Sequence, residues 1–315
     1  MATTTVGVIG TGVIGSSWTG LFLAHGLRVL VSDPAPGAEQ KLEAYLQGIW
    51  PSLKEIGLAP NASLPNYRFV GDSLKEHYAE VDFIQENAPE KLELKTKLLA
   101  EIDAATRPEV VIASSSSGIP SSKFITQCKK NPGRILIGHP FNPPHLMPLV
   151  EVVPHPGTDK SSVDKALEFY KSVGRSPVLI RQETPGFAVN RLQMALCAEA
   201  YSLVSRGIMS AEDLDTCMTT SLGPRWAITG PFQSNALGGG GGGEGFKHFI
   251  DHIGSAGQGW LKDMQENAFE WTPENISTVS ASVDEQLKGQ DTREVEQKRD
   301  RFFVDLFRKE GGAGN

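Results

Sequence analysis

A doubly wound α/β sheet followed by an all-α C-terminal domain is the architecture this sequence predicts, on three observations. A short apolar strand, Val6 to Ile9, runs into Gly10-Thr11-Gly12-Val13-Ile14-Gly15 and then into a helical pattern. Eight short apolar runs recur with helical stretches between several of them, the signature of a mostly parallel sheet covered on both faces. Past Arg181 the period becomes helical, after the breaker Thr184-Pro185-Gly186.

The first of these is the most specific. Val13 to His25 carries apolar residues at helical spacing, Gly26 stops it, and Leu27 to Val31 resumes a β-branched run closed by Asp33. Gly10 permits a tight turn, Gly12 lets backbone N–H groups approach a pyrophosphate, and Gly15 lets the helix pack on the strand. The helix end at Val13 and Ile14 supplies the positive end of a dipole. This is the Rossmann-type dinucleotide fingerprint, and Asp33 selects NAD over NADP, since a carboxylate there accepts from a ribose 2′-hydroxyl and repels a 2′-phosphate. The alternative is that Asp33 only starts the turn into Pro34.

Farther along, Leu42, Tyr45, Leu46, Ile49, Leu53 and Ile56 mark the apolar face of a helix expected to kink or break at Pro51. Strands are predicted at Tyr67 to Val70, Val81 to Ile84, Val110 to Ala113, Ile135 to Ile137, Leu149 to Val153 and Val178 to Ile180. Helices are predicted at Leu92 to Ala105 and Ser161 to Val173. With little helix between Ile137 and Leu149, the last strands can pair antiparallel. The domain boundary falls in the breaker, giving residues 1–183 for the NAD-binding domain and 184–315 for a helical substrate and dimerisation domain. A long helix from Phe187 to Arg206, a capping box at Ser210 and Asp213, and a charged helix from Asp291 to Lys309 belong to the second. The six glycines from Gly238 to Gly243 read as a mobile loop.

Composition bounds the function. A net charge of −7 leaves no basic excess for nucleic acid. No apolar run approaches the roughly 18 residues of a membrane span, and the first strand begins too early for a signal peptide, so a cytoplasmic protein is expected. Cys128, Cys197 and Cys217 have no metal or redox spacing, and neither do His77, His145, His155, His248 and His252; no metal is expected.

Catalytic groups belong at the carboxyl ends of the strands, and three segments qualify. Ser114-Ser115-Ser116-Ser117 offers hydroxyls after a strand, or a plain loop and helix cap. His139, with Glu151 twelve residues on, can be a general base and its orienting acid if the chain folds back. A structural histidine and an exposed acid fit the spacing equally. Asn190 at the start of the long helix can hold a reacting oxygen or be an ordinary helix residue. Arg225, between Pro224 and Trp226, can meet a substrate carboxylate or make a structural ion pair.

Taken together, these residues resemble the L-3-hydroxyacyl-CoA dehydrogenase family, over essentially the whole chain, and within it the L-gulonate 3-dehydrogenase branch with its lambda-crystallins. The likeness lies in residues 84–95 (Ile84-Gln85-Glu86-Asn87-Ala88-Pro89-Glu90 and on to Lys95), His139-Pro140-Phe141-Asn142-Pro143-Pro144, residues 148–156, Asn190-Arg191-Leu192-Gln193 and Leu222-Gly223-Pro224-Arg225-Trp226. The resemblance implies His139 as catalytic base, Glu151 as its orienter, Ser117 and Asn190 at the substrate, Glu90, Lys95 and Asn142 at NAD, and a homodimer. It implies NAD-dependent oxidation of an L-3-hydroxy acid to the 3-keto acid. Gly118, where the acyl-CoA enzymes carry a serine, and the absence of a basic arm between Pro34 and Asn66 point to a small free acid such as L-gulonate. The glycine run with residues 244–249 is similar instead to carnitine 3-dehydrogenase, although Asn190 departs from that subfamily. An acyl-CoA substrate, and a non-catalytic NAD-binding role of the lens-protein kind, are the remaining alternatives; the four catalytic positions together argue against the last.

Overall fold

The computed structural model describes residues 4–309, so the expected domain ends at 1–3 and 310–315 lie outside the described residues. The elements up to the breaker are β1 (Thr5–Ile9), α1 (Val13–Ala24), β2 (Arg28–Ser32), α2 (Ala38–Ile56), β3 (Tyr67–Phe69), β4 (Phe83–Glu86), α3 (Leu92–Ala105) and β5 (Val111–Ser114). They continue with the single-turn α4 (Ser121–Phe124), then β6 (Ile135–Pro140), β7 (Leu149–Pro154), α5 (Lys160–Ser172) and β8 (Ser176–Leu179). All eight predicted strands form, in one sheet ordered β3-β2-β1-β4-β5-β6-β7-β8.

The strands β1, β4, β5 and β6 are buried at every residue, which is why their sequences read as unbroken runs. Helices cover the sheet through two apolar clusters. One gathers Trp18, Phe22, Leu42, Leu46 and Tyr170 from α1, α2 and α5. The other gathers Ile84, Leu99, Ile102 and Phe124 from β4, α3 and α4. Strand order reverses between β1 and β4, which opens a crevice at their carboxyl ends. The connection from Phe141 to Pro148 is too short for a crossover, so β7 returns antiparallel to β6 and sets His139 directly opposite Glu151.

Of the kink or break expected at Pro51, the break does not occur, for α2 is continuous through it. Trp50 and Leu53 are buried beside it, and their packing offsets the one main-chain bond, to the Gln47 carbonyl, that proline cannot make. The glycine run joins α8 (Gly223–Gly238) to α9 (Gly245–Glu266) through Gly240, Gly241 and Gly242 at φ +98°, +71° and +70°. A Cβ on Gly239 would lie 1.9 Å from the Gly245 carbonyl oxygen, so the close approach of the two helix ends needs glycine.

The remaining helices are α6 (Val189–Ser205), α7 (Ala211–Cys217), α10 (Pro273–Leu287) and α11 (Thr292–Lys309). Ser210 caps α7 by accepting from the Asp213 N–H, as its spacing predicts. The chain divides into two compact units, the first running to Arg191 and resuming at Val295, the second comprising Leu192–Glu294. Two features hold the first unit together beyond residue 184. Phe187 is buried in the first unit's core, and α11 returns there with Val304 buried and Arg301 and Arg308 paired to Glu55 at 3.0 and 3.2 Å.

Two imidazoles of the first unit are held neutral. Burial pushes His25 down to about 4, helped by the Arg175 guanidinium. Burial likewise takes His145 to about 4, with Asp300 opposing and Arg175 assisting. The unfolded chain binds protons at these sites near 6.5, and the folded chain does not until near 4. Stability is therefore complete above 6.5 and lost as pH falls toward 4. The melting temperature at about pH 5 is expected below that at about pH 7.5, and His25→Gln with His145→Gln should flatten the difference; an undiminished slope would refute this origin.

Candidate active site

At the crevice, the glycine turn has the features an NAD pyrophosphate requires. Gly10 stands at φ +89°, and a Cβ on Gly15 would lie 1.8 Å from the Gly10 carbonyl oxygen, so the turn closes only with glycine at both places. Nothing lies within 4 Å of where a Cβ on Gly12 would stand, and no side chain caps the N-terminus of α1 at Val13 and Ile14. That leaves open N–H groups at the positive end of a helix. Asp33 ties the glycine turn to the start of the next loop. Its Oδ2 accepts from the Thr11 N–H at 2.6 Å and hydroxyl at 2.8 Å, and its Oδ1 accepts from the Ala35 N–H at 2.8 Å. Oδ1 keeps a lone pair for a ribose hydroxyl.

The loops after β4 and β5 are bound to each other. Lys95 is buried, with its ammonium on Glu86 Oε1 and Oε2 at 2.9 and 3.0 Å and on the Ala88 carbonyl at 3.0 Å. It braces the 86–90 loop from behind, and this bracing was not foreseen from sequence. Glu90 Oε1 gathers the Ser116 hydroxyl at 2.6 Å and the N–H groups of Ser117, Gly118 and Ile119 at 3.1, 3.2 and 3.3 Å. The four serines are thereby sorted. Ser114 donates to Glu86, Ser115 to Asn87 and Ser116 to Glu90, whereas the exposed Ser117 hydroxyl has no partner among the described residues.

His139 and Glu151 meet. Nδ1 of the imidazole lies 2.9 Å from Glu151 Oε2, with the two side chains 6% and 1% exposed. The other carboxylate oxygen accepts from the Ala188 and Val189 N–H groups at 2.9 and 3.0 Å. Burial raises the Glu151 carboxyl, but the bonds from His139, Val189 and Ala188 outweigh it and hold the group below its ordinary value. An ionised acid on Nδ1 keeps the proton there and leaves Nε2 as the free base. Phe141 and Phe187 flank the ring at centroid distances of 4.8 and 5.5 Å. Asn190, on the first turn of α6, donates to the Ser117 carbonyl at 2.6 Å. The structure thus brings Ser117, Glu90 and Asn190 into one cluster.

Asn142 is exposed just beyond β6. Arg225 is exposed on the first turn of α8 in the second unit, and no ion pair holds it among the described residues. The main-chain contacts from Ala188 and Val189 to Glu151 had no side-chain signal by which sequence reasoning could find them.

An open helix end for a dinucleotide and a buried imidazole–carboxylate pair, with His139 at the carboxyl end of a strand of the same sheet, define a nicotinamide-dependent dehydrogenase. The chain belongs to the 3-hydroxyacyl-CoA dehydrogenase family: residues 5–184 match its NAD-binding domain and residues 186–271 its C-terminal domain. It is 51% identical over 303 residues to a 3-hydroxyacyl-CoA dehydrogenase of Gibberella moniliformis, covering 96% of this chain and 94% of that protein. It is 44% identical over 308 residues to an L-carnitine dehydrogenase of Nocardiopsis dassonvillei, covering 98% and 92%. Among solved structures, 5-formyl-3-hydroxy-2-methylpyridine 4-carboxylic acid 5-dehydrogenase, an NAD-dependent dismutase, matches with a TM-score of 0.81 at 27% identity over 98% of both chains. The protein is thus an NAD-dependent dehydrogenase of this family.

Replacing Glu151 by Gln keeps an acceptor for Ala188 and Val189 but can set an amide N–H against the Nδ1–H of His139. Turnover is expected to fall about a hundredfold or more while NAD affinity stays within about twofold. Steady-state kinetics with NAD titration decides, and an unchanged kcat would remove Glu151 from the site.

Proposed function

We propose that this chain oxidises a small free L-3-hydroxy acid to the 3-keto acid, with His139 as the general base. The observation that carries the reading is the His139–Glu151 pair at 2.9 Å, which leaves Nε2 to accept a proton. NAD, when bound, supplies the hydride acceptor; Gly10, Gly12, Val13, Ile14, Gly15 and Asp33 would hold it, with Asn142 near it and Glu90 and Lys95 fixing the loops around its nicotinamide half. The substrate hydroxyl gives its proton to His139 Nε2 as the C3 hydrogen leaves with its electron pair, and the C–O bond becomes a carbonyl. Glu151 steadies the imidazolium. The uncommitted Ser117 hydroxyl and the second N–H of Asn190 would orient the reacting oxygen.

For the particular acid, L-carnitine is the first candidate, because relatives at 42–44% identity over most of their length are L-carnitine dehydrogenases. L-gulonate is the second, supported by the motif likeness of residues 84–95 and 148–156 and by Asn190. Offered separately with NAD, L-carnitine, L-gulonate, 3-hydroxybutyrate and 3-hydroxybutyryl-CoA are expected to differ, with L-carnitine giving the greatest rise in NADH absorbance and His139→Asn abolishing it. No rise with any of the four would restore a non-catalytic NAD-binding role.

The second unit leaves Ile228 and Phe232 79% and 77% exposed, with Trp226, Trp260, Leu261 and Trp271 also exposed. Such a surface suits burial against a second copy, and we assign it to a homodimer. Light scattering should return twice the chain mass, and the chain mass alone would contradict the dimer. The free cysteines Cys128, Cys197 and Cys217 accord with the reducing cytoplasm as its compartment.

A further inference from the structure

Gln85 places an amide at 0% exposure in the middle of the sheet, where its neighbours Phe83 and Ile84 are apolar. All of that amide is engaged. Its Oε1 accepts from Tyr170 Oη at 2.7 Å, and its Nε2 donates to Ser115 Oγ at 2.8 Å and to the Gly138 carbonyl at 3.3 Å. Gly138 is the residue before His139, and a Cβ on it would lie 1.9 Å from the Tyr170 hydroxyl. Ser115 accepts from Trp18 Nε1 at 3.2 Å as well and donates to Asn87 Oδ1 at 2.7 Å. Asn87 Nδ2 in turn donates to the Ile9 carbonyl at 3.3 Å and the Gln85 carbonyl at 2.9 Å. The main chain of Asn87 fills the space beside Gly10, its carbonyl oxygen 2.8 Å from where a Cβ would stand.

An unbroken series of hydrogen bonds therefore runs from the peptide that carries His139 to the strand end that opens the glycine turn. We propose that Gln85 is a positioning residue, the amide that fixes the His139 peptide relative to the dinucleotide turn. Main-chain ladders to β5 and β7 set the register of β6, and the Gln85 amide adds a side-chain constraint on the peptide before His139. A shift of that peptide would orphan buried polar atoms, so its position is discrete. Tyr170 acts through Gln85, since its donation to Oε1 selects the amide orientation that turns Nε2 toward Gly138 and Ser115. The proposal rests on His139 being the base.

Gln85→Met keeps the volume and removes the bonds. It is expected to lower kcat about tenfold with KM for NAD within about twofold, and Tyr170→Phe should act in the same direction less strongly. The His139 ring signals in NMR, identified by their loss in His139→Asn, should move in both variants. Unchanged kcat with unmoved ring signals overturns the proposal, as does a parallel loss of kcat and NAD affinity, which marks a structural role only. If the unaltered protein oxidises none of the substrates offered, the functional reading fails and the ring signals alone decide the role of Gln85. Should Gln85→Met not fold, Tyr170→Phe carries the same measurements.

Discussion

A single buried carboxylate, Glu151, sets the geometry on which the site depends. Its two oxygens receive an imidazole on one side and two consecutive main-chain N–H groups on the other. The first contact fixes the orientation of the His139 ring. The second ties residues 188–189, and with them the start of α6, to the middle of the sheet. A buried carboxylate is costly unless every lone pair facing the interior is matched, and this one remains ionised because three donors face it. The orientation of His139 and the placement of Asn190 thereby share one support.

The loops at the crevice show a comparable division of labour. Glu86 and Lys95 neutralise each other out of reach of solvent, Glu90 collects the N–H groups that follow Ser116, and Asn87 joins the glycine turn to β5. Among the serines after β5, the one left free is the one at the open side.

How much of this was legible in the sequence follows from the range of the forces involved. The strands showed themselves because residues buried on both faces must be apolar in succession, and the dinucleotide turn because glycine is required where a Cβ would strike a carbonyl. His139 and Glu151 were visible as candidates, but only the antiparallel return of β7 made them neighbours. What escaped notice depends on partners remote along the chain. The return of α11 to the first unit rests on Arg301 meeting Glu55, 246 residues away, and Gln85 gains meaning only when Tyr170 and Gly138 close around it. The break expected at Pro51 does not occur because local propensity gives way to packing by Trp50 and Leu53.

The junction between α8 and α9 sets a rule for tinkering with this chain. Gly240, Gly241 and Gly242 carry the chain from α8 into α9 through left-handed backbone that other residues rarely adopt. At Gly239 the constraint is one of bulk, since any side chain there would meet the Gly245 carbonyl, so a run that looks like filler has two separate reasons to be glycine.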